Sequence, residues 1–150
     1  MKTRQLTVRP FREDDLEALF QLLSDPEVMR YLEPPFSREQ TADFLHSAGI
    51  CDPPLIYAVE DAAGEFVGYV IYHPYGRDCY EIGWVLAREQ WHKGYAQQLT
   101  QAMIRDAKGK TSQLVIECLP EQTATSHLAL KNGFTFQGHC DGCDVYSKKL

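Results

Sequence analysis

A glycine-containing turn between a predicted strand and a predicted helix carries residue types that could bind an anion. The strand ends near Leu86, and the helix begins at Gly94, with Lys93 directly before the glycine and Ala96 two residues after it. The first N–H groups of a helix have no partner within it and lie at its positive end, so such a turn can bind a pyrophosphate group. A tight turn whose glycine serves only the backbone geometry would leave the same pattern.

Glu81 places a carboxylate inside the predicted strand that precedes this turn. Strand alternation puts Glu81 on the same face as Cys79, Gly83 and Val85. A carboxylate in a strand that is covered on both faces is partly desolvated, which raises its pKa toward the range useful to a general base. The alternative interpretation is a solvated carboxylate at the exposed end of the strand.

Two further groups of residues have reactive side chains. Thr125 and Ser126 carry hydroxyls near the start of a predicted helix, where such side chains commonly cap the helix or contact solvent. The segment from His139 to Cys143 contains the run Cys-Asp-Gly-Cys, which has metal-ligand residue types. A structural zinc site uses four ligands, commonly from two such pairs, and only one pair is present. We therefore interpret this segment as a turn between two strands and predict no metal.

The elements that must position these residues follow from the hydrophobic pattern. Strands are predicted at 6–8, 55–60, 67–73, 79–86, 114–119, 134–137 and 145–149, and helices at 16–23, 37–46, 94–107 and 123–131. The strand–helix–strand unit around Gly94 favours a parallel pair of strands, whereas the preceding strands form an antiparallel meander. The order predicts an α/β fold with a single mixed β-sheet flanked by helices on both faces.

Composition limits the class of protein. The 150 residues, of which 44% are hydrophobic and 24% charged, fit one globular domain spanning 1–150. No apolar run is long enough to cross a membrane, and no secretion signal is apparent. The net charge is −6, and the sequence contains no block of basic residues of the kind that binding to nucleic acid requires. Five scattered cysteines read as reduced thiols, so we expect a cytoplasmic protein.

The sequence Trp91-His92-Lys93-Gly94-Tyr95-Ala96 resembles the acetyl-CoA pyrophosphate loop of the GNAT family of N-acetyltransferases, Gln/Arg-x-x-Gly-x-Gly/Ala. Trp91 stands where most of the family has Gln or Arg, a form common in its RimJ/RimL-like branch. Three other segments agree with that branch in the same order along the chain. They are Leu6-Thr7-Val8-Arg9-Pro10, Asp25-Pro26-Glu27-Val28-Met29 and Leu130-Lys131-Asn132-Gly133-Phe134.

The resemblance implies direct transfer of an acetyl group from acetyl-CoA to a primary amine, with Glu81 as the base. It implies that a bulge, for which Gly83 is suited, separates the fourth strand from its neighbour, so that pantetheine lies between them. Thr125 and Ser126 are the candidates for protonating the departing thiolate, and no metal is involved. The implied cofactor-binding residues are Trp84, Val85 and Leu86 in the strand, the loop residues Trp91, His92, Lys93, Gly94, Tyr95, Ala96 and Gln97, and Gln122, which replaces an asparagine of many members.

Several alternatives stay open from sequence. The acceptor could be a peptide or protein N-terminus or a small amine, and the acidic composition favours a cationic one. A domain that binds acyl-CoA as a sensor or scaffold without turnover is the principal rival, and a partner-binding module with a degenerate loop is a weaker one. An edge strand at the C-terminus leaves a homodimer open.

Overall fold

A seven-stranded mixed sheet organises the chain, and the computed structural model describes all residues from Met1 to Leu150. Its strands are β1 (Thr7–Arg9), β2 (Ile56–Glu60), β3 (Phe66–Pro74), β4 (Cys79–Leu86), β5 (Gln113–Cys118), β6 (Thr135–Cys140) and β7 (Cys143–Lys149). The helices are α1 (Leu16–Leu23), α2 (Arg38–Phe44), α3 (Tyr95–Ala107) and α4 (Thr123–Lys131). The strand order is β1-β2-β3-β4-β5-β7-β6, and every neighbouring pair is antiparallel except β4 and β5. The predicted fold class and element order are confirmed.

Each face of the sheet carries its own hydrophobic core. Leu99 and Met103 of α3 pack with Ile82 and Leu114 on one face, in a cluster that α4 joins through Ala129. On the other face, Leu19 of α1 belongs to a cluster that also contains Leu45, Tyr69 and Val85. Because Ile82 and Val85 belong to opposite clusters, β4 is covered on both sides, as its nearly continuous apolar sequence indicates.

Two segments differ from the predicted elements. The second helix does not end at His46, because one wide π-type turn continues it from Leu45 to Gly49. The last two strands are longer than predicted and form a hairpin, in which Cys140 pairs with Cys143. The two residues between them, Asp141 and Gly142, have φ angles of 52° and 83°. Two consecutive positive φ values are typical of the tight turn that Asp-Gly favours, so the Cys-Asp-Gly-Cys run is the predicted turn.

The parallel pair β4–β5 separates without the bulge that was expected at Gly83. Pairing between β3 and β4 continues without a register shift from Leu86 to Tyr80, so the Gly83 prediction is wrong. The separation arises on the other side of β4, where pairing with β5 covers only Cys79 to Glu81. Beyond Glu81, β4 continues to Leu86 with no partner on its β5 side, which leaves an opening between the two strands.

A buried carboxylate joins the first strand to the first helix. Asp15 is 5% exposed and accepts hydrogen bonds from Arg9 Nη1 at 2.8 Å, Arg9 Nη2 at 2.9 Å and the Arg12 N–H at 2.8 Å. Arg9 also donates from Nε to Glu60 of β2 at 2.9 Å. Burial opposes ionisation of Asp15, but the bonds from Arg9 and Arg12 outweigh it and hold the Asp15 pKa below its ordinary value.

We expect Asp15→Asn to lower the free energy of unfolding by about 2 kcal/mol at pH 7, since a charge-assisted bidentate pair is lost. The depressed pKa means that the ionised carboxylate stabilises the fold fully above the unfolded-state pKa of about 3.9, and that this contribution is lost as the pH falls further. Urea unfolding of both proteins at pH 7 and at pH 3 measures the difference. A difference that stays the same at the two pH values would contradict this account.

No helix in the structure is both long enough and apolar enough to cross a membrane.

Candidate active site

The turn between β4 and α3 is held open by its backbone conformation. Gly94, the residue that precedes α3, has a φ of 80°, and His92 has a φ of 64°. Left-handed backbone is ordinary for glycine and uncommon for other residues. The turn therefore suits a glycine at position 94 and has an uncommon conformation at His92. Trp91 anchors the turn, because its Nε1 donates to the carbonyl oxygen of Leu86 at 3.0 Å.

The N–H groups from His92 to Gln97 donate no hydrogen bond within the protein. The next one along the chain, that of Gln98, bonds to the Gly94 carbonyl oxygen at 3.2 Å and marks the first regular bond of the helix. Nothing lies within 4 Å of the position that a Cβ on Gly94 would occupy. The loop therefore presents a row of free donors at the positive end of α3, with open space in front of Gly94.

Lys93 adds a positive charge beside this row. Its Nζ lies 3.0 Å from Gln90 Oε1 and 5.9 Å from the centre of the Tyr95 ring. No carboxylate pairs with it. The charge of Lys93 is therefore available to an anionic ligand at the loop.

The opening between β4 and β5 exposes backbone groups of β4. Tyr75 donates its N–H to the Cys79 carbonyl oxygen at 2.7 Å, and Ala87 donates to that of Val67 at 2.9 Å. Hydrogen-bonded pairs alternate along an antiparallel ladder, so the N–H of Val85 faces β3, whereas those of Trp84 and Leu86 face β5. Because β5 has diverged at this level, these two N–H groups are free to bind an extended ligand as if it were another strand.

Glu81 lies at the last paired position before the opening, opposite Val115 of β5 and His73 of β3. Its side chain is 21% exposed, and its Oε2 lies 3.8 Å from His73 Nε2. Burial raises the Glu81 pKa above its ordinary value, the nearby His73 opposes that shift, and the negative charge of Glu117 adds to it. The raised pKa has the direction that a general base needs, and the role of Glu81 as the base stays a prediction.

Glu117 is a second carboxylate on the Glu81 face. Tyr75, in the turn before β4, donates its hydroxyl to Glu117 Oε1 at 2.6 Å. This bond raises the pKa of Tyr75 to about 12. An open cleft adjoins the pair and is lined by both residues together with the β6–β7 hairpin. Glu117 gives this cleft a negative side, and its charge also acts on Glu81.

Gln122, Thr125 and Ser126 lie at the start of α4. Gln122 Oε1 accepts the Leu119 N–H at 2.8 Å, so its amide closes the loop between β5 and α4. The Ser126 hydroxyl donates to the Thr123 carbonyl oxygen at 3.0 Å, while that of Thr125 makes no hydrogen bond within the protein. The proposed acid role of these hydroxyls stays a prediction, as does the contact of Gln122 with a cofactor.

Sequence reasoning did not assign a role to His73 or Glu117. The pairing of His73 with Glu81 could have been read from the hairpin register. The turn from Gly76 to Asp78 puts Tyr75 opposite Cys79, and counting outward by two residues on each strand places His73 opposite Glu81. Glu117 lies two residues beyond Val115, the partner of Glu81, and alternation puts it on the same face.

No group of three or more His, Cys, Asp or Glu side chains in the structure is arranged to hold a metal ion.

Comparisons with known proteins give matches both in sequence and in fold. The sequence profile described as an acetyltransferase (GNAT) domain matches residues 5–135. An uncharacterised N-acetyltransferase of Bacillus subtilis (strain 168), YnaD, is 28% identical over 148 residues, with 94% of this chain and 85% of that protein covered. A GNAT-family acetyltransferase from Bacillus anthracis superposes with a TM-score of 0.87 at 28% identity, covering 100% of this chain and 96% of that one.

Two liganded structures share the fold at lower identity. Spermidine N-acetyltransferase from Vibrio cholerae, in complex with CoA and spermine, has a TM-score of 0.79 at 23% identity, with coverage of 97% of this chain and 95% of that one. The ribosomal L7/L12 N-terminal acetyltransferase RimL, in complex with CoA, has a TM-score of 0.78 at 21% identity, with coverage of 99% and 96%. With the family profile spanning most of the sequence, the chain belongs to the GNAT acetyltransferase family and is an N-acetyltransferase.

Proposed function

We propose that this enzyme binds acetyl-CoA along the opening between β4 and β5 and transfers its acetyl group directly to a primary amine. The observation that carries the proposal is the continuity of free donors. The N–H groups of Trp84 and Leu86 in the opening are followed along the chain by those from His92 to Gln97 at the start of α3. An extended pantetheine chain that ends in a pyrophosphate group presents complementary acceptors in that order.

The loop from Trp91 to Gln97 would bind the pyrophosphate, with Lys93 supplying the charge. The N–H groups of Trp84 and Leu86 would bind pantetheine, and one of them would polarise the thioester carbonyl oxygen. The expected backbone contact of Val85 is not part of this proposal, because its N–H faces β3 and its side chain packs in the core. Bound acetyl-CoA would supply the acetyl group as a thioester, from which the CoA thiolate leaves readily.

Glu81 would take a proton from the acceptor, because an aliphatic ammonium with a pKa near 10.4 must become neutral before its nitrogen can attack. The raised thiol pKa values of two cysteines favour direct transfer over a covalent acetyl-cysteine intermediate. Burial raises the thiol pKa of both Cys79 and Cys118, and Cys118 reaches about 11, so neither is activated as a nucleophile. Thr125 or Ser126 would return a proton to the thiolate.

A cationic acceptor fits the surroundings of Glu81. Glu81 and Glu117 lie on the same face of the sheet, Glu117 lines the open cleft, and the chain has a net charge of −6. Spermine in the Vibrio cholerae enzyme and a protein N-terminus for RimL are both cationic amines, and we propose that the acceptor here belongs to one of these two classes. Membership of the RimJ/RimL-like branch would favour the N-terminus.

Incubation with acetyl-CoA and a panel of amines, read by mass spectrometry of the products, tests the proposal. The panel contains spermine, a lysine-free peptide with a free N-terminus, and the same peptide with its N-terminus blocked. We expect acetylated product from spermine or the free peptide and none from the blocked one. Tight binding of acetyl-CoA without acetylation of any amine would favour the sensor or scaffold alternative.

We further propose that residues 1–150 act as one N-acetyltransferase domain in the cytoplasm, where five free cysteines stay reduced. The strand β6 forms an edge of the sheet and exposes 54% of Phe136. A second copy pairing along this edge would produce a homodimer.

A further inference from the structure

A backbone carbonyl group determines which ring nitrogen of His73 carries the proton. Its Nδ1 lies 2.8 Å from the carbonyl oxygen of Pro74, which can only accept a hydrogen bond. Nδ1 therefore carries the proton in the neutral ring, and Nε2 is left with a free lone pair. That lone pair is on the nitrogen that lies 3.8 Å from Glu81 Oε2.

The two side chains are matched in position and exposure. His73 and Glu81 are directly opposite on β3 and β4, and their side chains are 18% and 21% exposed. Their separation is about 1 Å longer than a hydrogen bond, a distance that a small side-chain rotation closes and that commonly shortens when substrate binds. The other titratable groups that influence Glu81 or are influenced by it are Glu117 of β5, Tyr75 in the turn and Cys79 of β4.

We propose that His73 Nε2 receives the acceptor's proton from Glu81 and passes it to solvent. The inference rests on the proposed function, in which Glu81 is the base. The ammonium of the acceptor loses one proton to the Glu81 carboxylate, and the neutral nitrogen forms the C–N bond as the C–S bond breaks. Glu81 then gives its proton to Nε2, and the imidazolium releases it to water. The second proton of the attacking nitrogen goes to the thiolate, so the products are the amide, CoA thiol and one proton in solution.

His73 is a positioning residue in this scheme, because it acts through Glu81 and does not touch the acceptor. The substitution His73→Asn separates this role from a structural one. The asparagine Nδ2 can replace Nδ1 as donor to the Pro74 carbonyl oxygen, whereas nothing replaces the proton-accepting Nε2. His46→Asn is a matched control. His46 lies on the helical segment after α2, is exposed, and pairs with Glu13.

We expect His73→Asn to lower kcat by about ten- to a hundredfold, less than loss of the base itself, which costs about 10²–10⁴-fold. Loss of the imidazolium also removes an influence that favours ionised Glu81. The acidic limb of the kcat/KM profile should therefore shift to higher pH. Glu117→Gln should shift the same limb to lower pH, because it removes a like charge while keeping an oxygen for the Tyr75 hydroxyl.

Wild type, the three variants and Glu81→Gln are compared by pH–rate profiles at saturating acetyl-CoA. A slower His73→Asn with its limb at higher pH and an unchanged His46→Asn would support the relay. A His73→Asn profile that superposes on wild type, while Glu81→Gln is inactive, would overturn the relay and leave the proposed function intact. Wild-type activity in Glu81→Gln would overturn both the relay and the role of Glu81 as base.

Discussion

Replacing Glu81 by glutamine is expected to lower kcat by about 10²–10⁴-fold while the affinity for acetyl-CoA stays near that of wild type. Glutamine keeps the size of the side chain and its place opposite His73 but cannot accept the proton of the acceptor. The free donors from His92 to Gln97 are unaffected, because they belong to a separate loop. Steady-state kinetics with calorimetric titration of acetyl-CoA measures both quantities on the same protein.

Stability distinguishes a catalytic loss from misfolding in this variant. Burial raises the pKa of Glu81, so the ionised carboxylate disfavours the folded state as the pH rises through its titration. Glu81→Gln should therefore unfold at the same urea concentration as wild type or a slightly higher one at pH 7. Glu65→Gln, an exposed change in the turn between β2 and β3, is the control and should leave both kcat and stability unchanged. A Glu81→Gln enzyme with wild-type kcat would exclude Glu81 as the base.

Replacing Gly94 by aspartate is expected to weaken acetyl-CoA binding at least about 100-fold relative to replacing it by asparagine. Both side chains tolerate the positive φ of 80° at this position, and the space in front of Gly94 is open. The two variants differ in one negative charge, which in Gly94→Asp lies where the pyrophosphate is proposed to bind. Repulsion between two charges about 4 Å apart near a protein surface is about 4 kcal/mol, enough for this loss.

Aspartate and asparagine are nearly the same size and adopt the same φ at position 94. The difference between the acetyl-CoA affinities of the two variants therefore measures charge repulsion and not backbone strain. Gly94→Asn itself should bind acetyl-CoA more weakly than wild type, because its side chain competes for the space of the ligand. Raising the salt concentration should narrow the difference between Gly94→Asp and Gly94→Asn, since an exposed charge is screened. Equal affinities of the two variants at low salt would mean that no phosphate group approaches Gly94.

How far sequence predicted the structure depends on whether a feature is local. The bounds of β4 and α4 were predicted correctly, since turn residues bound the first and a strong stop, Asn132-Gly133, ends the second. The last two strands were predicted too short because the ends that meet at their turn, such as Gly138 to Cys140, lack the apolar alternation of a buried strand. Their extension depends on cross-strand pairing around the Asp141-Gly142 turn, which local pattern underestimates.

The geometry of the candidate site depends on contacts between strands, which a local sequence pattern does not describe. The separation of β4 from β5 was expected, but from a bulge at Gly83, whereas the structure separates them by ending the β4–β5 pairing at Glu81. β5 continues along β7 as far as Cys118 after this pairing ends, so the opening depends on the course of a second strand and not on β4 alone. The positions of His73 and Glu117 near Glu81 likewise follow from register across three strands.

Amide-proton NMR of the wild-type protein during titration with acetyl-CoA tests the proposed binding mode most directly. At saturation, the largest shifts are expected at the N–H groups of Trp84 and Leu86 and at those from His92 to Gln97. Pantetheine, which lacks the pyrophosphate, should shift the two strand residues and spare the loop. Largest shifts at the β6–β7 turn around Asp141, or no shift at any of these groups at saturating acetyl-CoA, would contradict binding along the β4–β5 opening.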